Sequence, residues 1–149
     1  MLTEILKELY ERDLDKLRAE IEQFTNEADL WKVDGGVTNS AGNLCQHLTG
    51  NLKHFVGAVL GGSGYVRDRD AEFANRQATK TELLSDIDAT KGVVLKTLAG
   101  LAAQDIERDY PLDVFGHKMT TGYFIAHLAT HFNYHLGQIN YLRRLTAAK

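Results

Sequence analysis

The sequence predicts an all-α chain, a bundle of four long helices. Three observations predict it. Apolar residues recur at three- and four-residue spacing through long tracts, the period of a helix with one buried face. Pro111 is the only proline in 149 residues, and proline breaks helix interiors. The 13 glycines cluster between the tracts, as at Gly35, Gly36, Gly61, Gly62 and Gly64.

The first helix covers Leu2 to about Phe24, with apolar residues at Leu2, Ile5, Leu6, Leu9, Tyr10, Leu14, Leu17, Ile21 and Phe24 and with Thr3 as N-cap. Residues 25–39 read as a loop. Its one large apolar residue, Trp31, either covers a bundle end or lines a pocket. A second helix starts near Ser40, a good N-cap, and runs to about Leu60. His47 falls within its apolar rhythm. His54, seven residues on, projects in nearly the same direction about 10 Å away.

Residues 61–78 form a long polar connection. Its length lets the next helix run parallel to the second. Thr79 or Thr81 caps a third helix, with Glu82 in its first turn. Leu84, Ile87, Val94, Leu98 and Leu101 form its stripe, and Lys91 snorkels from the remaining slot. Residues 102–116 lead to the last helix, and Asp109 to Met119 reads as a small hairpin or an irregular lid. The fourth helix runs from about Thr120 to Leu145.

Bulk properties narrow the function. The length suits one domain, residues 1–149, with enough core to need no staples. A net charge of −3 without a basic run argues against a nucleic-acid partner. No apolar stretch approaches the roughly 20 residues of a membrane span. Cys45 is the only cysteine, so no internal disulfide forms, and it reads as a core residue. The charged N-terminus has no apolar signal region, so the cytoplasm is the expected location.

The chemistry lies in histidines. His127, His131 and His135 recur every fourth residue in one helical tract, and residues four apart stack on one face. Two such imidazoles can grip one metal ion, with His47 from another helix completing three nitrogens. That leaves a coordination position open, as catalytic sites do. The ends of the ladder are about 12 Å apart, so only one neighbouring pair can serve. Imidazole suits Zn, Ni, Cu or Fe(II). Glu-x-x-His and His-Glu-x-x-His patterns are absent, which excludes di-iron bundles and zincins.

The segment from His131 through His135 to Gln138, followed by Tyr141-Leu142-Arg143, resembles the final helix of the DinB superfamily. Asn39 to Leu48, around His47, resembles the stretch leading to that family's first ligand. The resemblance implies a four-helix bundle in up-down-down-up order, in agreement with the long connection after the second helix. It also implies His47, His131 and His135 as metal ligands. In that order His47 and His135 sit at comparable depth near one bundle end, with His127 too deep.

Leu136 stands where many members carry Arg, which removes one group able to contact an anionic substrate. His127, His54, Gln138 and Asn51 remain as residues supporting the ligands or lining the pocket. The resemblance further implies a homodimer and a thiol-dependent S-transferase or isomerase acting on a small molecule. Its cofactors would be a divalent transition metal, Zn or Ni, and a low-molecular-weight thiol such as bacillithiol or mycothiol. A metal-dependent hydrolase is a competing expectation, and only the loop residues Asp34 and Asp113 offer it a base. A non-catalytic metal-binding stress-response dimer and a metal-free bundle are two more.

Overall fold

The first apolar stripe folds into α1 (Leu2–Glu22) in the computed structural model of the chain, which describes residues 1–147. Leu6, Tyr10, Leu14, Leu17 and Ile21 are buried, while Leu2 and Ile5 remain exposed. Thr3 is not the cap: Met1 holds that position, and no side chain caps the helix. A 3₁₀ turn, Glu27–Trp31, follows and lays Trp31 on Gly42, where even a Cβ would collide with the indole.

Ser40 caps α2 (Ala41–Leu52), its Oγ accepting the Asn43 amide at 3.1 Å. The chain continues without a break into a π-helical turn, Lys53–Ala58. There the Val59 amide donates to the His54 carbonyl, five residues back, at 3.0 Å. The wider turn rotates later side chains relative to α2. The connection after it holds an element the periodicity did not reveal: α3 (Arg69–Ala74), whose N-cap Asp68 accepts from the Ala71 amide.

Of the two threonines proposed as caps, Thr79 serves. It and Glu82 form a reciprocal capping box at the start of α4 (Lys80–Ala99). The buried face of α4 is Leu83, Ile87, Thr90, Val94 and Leu98. It begins one residue before the expected Leu84, and Leu101 falls beyond the helix end. Lys91 does not fill a slot in that face. Its Nζ reaches Asp15 of α1 at 2.7 Å.

A short α5 (Ala103–Glu107) leads into a loop closed by a single antiparallel bridge between Asp109 and Thr120. Among the described residues no strand forms, so this segment is the irregular lid, not the hairpin. The last helix, α6 (Thr121–Ala147), is the longest.

Side-chain pairs reveal the direction of each helix. Arg18 meets Asp88 and Lys91 meets Asp15, so α1 and α4 are antiparallel. Tyr10 bonds the Ile125 carbonyl and Arg143 meets Glu20, so α1 and α6 are parallel. Lys53 meets Asp86, and Gly61 abuts Thr97, so α2 and α4 are parallel. His47 meets His131 and Phe55 meets Phe124, so α2 and α6 are antiparallel. The result is an up-down-down-up four-helix bundle, with α1 and α2 at opposite corners.

Candidate metal centre

His47 of α2 and the pair His131 and His135 of α6 converge on one point. Their potential ligand atoms all lie within 4.8 Å of one another. His47 Nε2 and His131 Nε2 are 3.1 Å apart, and the His131 and His135 ring centroids are 4.6 Å apart. Two nitrogens bound at about 2.1 Å in tetrahedral geometry stand about 3.4 Å apart. The cluster therefore needs only a small contraction to hold one ion. The two contacting nitrogens share a proton, and an ion bound by both takes that proton's place.

Two of the three rings are oriented from behind. His47 Nδ1–H donates to Glu72 Oε1 at 3.0 Å. A carboxylate only accepts, so the proton sits on Nδ1 and the Nε2 lone pair faces the cluster. His135 Nδ1–H donates to Gln138 Oε1 at 2.7 Å, with the same consequence. His131 lacks such a partner: its Nδ1 is buried without a hydrogen bond among the described residues.

Glu72 is held in turn by Arg67, whose Nε and Nη2 reach its two oxygens at 2.8 and 2.9 Å. Burial works against ionisation of Glu72. The hydrogen bonds from His47 and Arg67 outweigh it and keep the carboxyl below its ordinary value. Gly50 makes room, because a Cβ there would run into the Glu72 carboxylate. The His131 imidazole is pushed down to about 4, mainly by burial and then by His135, His47, His127 and Arg67. His135 is lowered by burial, partly offset by Gln138. These are neutral imidazoles, the form that binds metal.

The family described as "Protein of unknown function (DUF1572)" matches residues 3–149. The chain belongs to that family. A conserved protein from Enterococcus faecalis has a similar crystal structure, with a TM-score of 0.80 over 99% of this chain and 98% of that one, at 16% identity. A DinB-like protein from Bacillus cereus ATCC 10987 gives 0.69 over 91% and 86%, at 14% identity. No curated protein matches. The bundle of this DUF1572 chain is DinB-like, as its last helix led us to expect.

Beside the cluster, the DUF1572 chain has a cleft of about 320 Å³. His47 and His131 line it, and the lid contributes Val114 and Phe115. His127 lines this cleft, its ring 4.9 Å from Phe115, and takes no part in the cluster. Asn51 also lines it and bonds neither histidine.

Four residues that the sequence offered for the site lie elsewhere. His54 lies against Phe55, ring centroids 4.7 Å apart, and burial followed by Arg67 lowers its pKa. Trp31 packs on Gly42, away from the cleft. Asp34 and Asp113 do not line the cleft. Leu136 is a core residue, and Cys45 is buried, which pushes its thiol up.

The sequence reading missed Glu72, Arg67 and Arg69. The signal for the arginines was the charge alternation of residues 67–70, read only as polar linker, with Glu72 two residues beyond it.

Proposed function

We propose that this protein binds one divalent transition metal, zinc or nickel, through His47, His131 and His135, and uses it for thiol-dependent group transfer. The observation that carries this reading is the placement of charge around the cluster. Two of its rings, His47 and His131, line a cleft that no carboxylate lines. Glu72, the carboxylate that touches the cluster, sits behind His47, with both oxygens occupied by His47 and Arg67. Hydrolysis needs a free base beside the attacking water, and Glu72 is not placed to be one.

Bound metal would hold a thiol as its nucleophilic thiolate, with no separate base required. Glu72 and Gln138 keep the Nε2 atoms of His47 and His135 presented. His131 stays neutral under mildly acidic conditions. Phe115 and Phe124 offer an apolar wall to the electrophile. A homodimer completes the proposal, supported by the exposed Tyr134, Tyr141 and Leu145 on α6.

The test is metal content followed by a thiol-conjugation assay on tag-free protein. One ion per chain is expected, lost on His47→Ala, His131→Ala or His135→Ala and kept on His127→Ala. Turnover of thiol with a generic electrophile should follow the ion. Metal without turnover would favour a binding module, and no metal would end the proposal.

A further inference from the structure

We propose that the cleft beside the histidine cluster receives a carboxylate borne on a flat apolar body, with Arg69 as the residue that reads the carboxylate. This deepens the function proposed above, and rests on it in taking the cleft as the substrate's place.

The first support is uncompensated charge. Two arginines line the cleft, and no acid does. Arg67 is neutralised by Glu72. Arg69 is not: it makes no ion pair among the described residues, and its guanidinium stands 5.2 Å over the Phe73 ring. Of its two acidic neighbours, Asp68 is taken up in capping α3. A stacked guanidinium keeps its planar fork in one orientation, and that fork matches the two oxygens of a carboxylate. A phosphate dianion would call for more than one free cation, so a carboxylate fits better.

The second support is a pair of polar groups left free to meet a ligand. Asn51 lines the cleft, and its amide makes no hydrogen bond to protein among the described residues. The His127 ring is likewise free of side-chain hydrogen bonds, and Phe115 and Phe124 hold it in place. Both groups can serve a polar ligand.

The third support is the wall. Phe55, Phe115 and Phe124 meet edge to face or stack with their neighbours, and Val114 and Leu128 fill between them. Such a surface favours a flat ring or conjugated system over a sugar or a flexible polyamine.

The probes are benzoate and its uncharged counterpart benzamide, titrated calorimetrically into metal-free protein so that no metal–carboxylate contact contributes. Benzoate should bind about fivefold more tightly than benzamide, the scale of one exposed charge pair. Arg69→Gln should remove that preference and leave benzamide unchanged, with Arg69→Lys recovering part of it. Phe115→Ala should weaken both probes. Arg69 is exposed, so these variants should fold, which a thermal melt checks.

Equal binding of the two probes, no binding of benzoate, or no effect of Arg69→Gln would overturn the proposal. Zinc uptake by the same proteins separates the two readings. Uptake without an Arg69-dependent benzoate preference sinks the subsite and spares the metal centre. The preference without uptake supports the subsite and sinks the metal centre.

Discussion

Glu72 reaches across from α3 to place its Oε1 3.0 Å from Nδ1 of His47. This contact ties a metal-ligand candidate to the connection between α2 and α4. It fixes the tautomer of His47 and raises the basicity of the nitrogen facing the cluster. Glu72→Gln keeps the size and loses the charge. It is predicted to weaken zinc binding by about 10- to 100-fold, the usual cost of losing a carboxylate behind a ligating histidine. Competition against a chelating dye measures it. Unchanged affinity would show that the contact is structural only.

Gly50→Ala tests the same contact from the opposite side. Alanine raises helix propensity by about 1 kcal/mol over glycine in a helix interior. At Gly50 the new Cβ would collide with the Glu72 carboxylate, which His47 and Arg67 hold in place. Hydrogen bonds to charged groups contribute about 1.5–3 kcal/mol each, so displacing the carboxylate outweighs the propensity gain. The variant is predicted to be about 1 kcal/mol less stable by urea denaturation and to bind zinc about tenfold more weakly. A more stable protein with unaltered zinc affinity would mean that the carboxylate can move aside freely.

Acid should destabilise the metal-free protein in a defined window. His131 titrates at about 4 in the fold because burial, reinforced by neighbouring histidines and Arg67, disfavours its charged form. In the unfolded chain an imidazole titrates near 6.5. Between these values the unfolded chain binds more protons, so stability rises with pH. The stability is complete above about pH 6.5 and drains away as the pH falls toward 4. His135 is shifted in the same direction and adds to the slope. Melting temperatures from about pH 4.5 to 7.5 should show this slope, and His131→Gln should flatten it. A flat profile in the unaltered protein would contradict the neutral, buried ring.

The sequence carried the bundle clearly, since long periodic tracts report burial on one face and little competes with that signal. The same holds for the clustering of His47, His131 and His135. His47 lies in the apolar rhythm of α2, and the spacing of His131 and His135 stacks them on α6. Short elements were harder to read. Six residues of α3 are too few for a period to emerge, and its acids and arginines look like any solvated linker. Yet that helix supplies Glu72 and Arg69, and Arg67 lies just before it.

The π turn escaped for a related reason. No local composition marks it, and one widened turn interrupts the helix that the periodicity carried on to Leu60. In α4 the polar Thr90 is buried, its hydroxyl satisfied by the Asp86 carbonyl at 2.7 Å, and this disguised the true stripe.

The lid is anchored to the π turn by one bond, Tyr110 Oη to the Phe55 carbonyl at 2.7 Å. A π turn shifts each amide to the carbonyl five residues back, so carbonyls near its edges can seek partners outside the helix. Tyr110 provides one, while its ring packs 4.4 Å from Phe124. Tyr110→Phe keeps the packing and removes only the hydroxyl. It is predicted to cost about 1–2 kcal/mol, the price of a half-buried hydrogen bond whose acceptor is left alone. The lid segment should also exchange its amide hydrogens faster, at Tyr110 and Thr121 above all, since their amides close the bridge to Met119 and Arg108. Zinc uptake should not change, because the three histidines lie on α2 and α6. Hydrogen exchange by mass spectrometry separates the outcomes: loss of protection across α6 as well as the lid would mean that this bond supports the whole bundle.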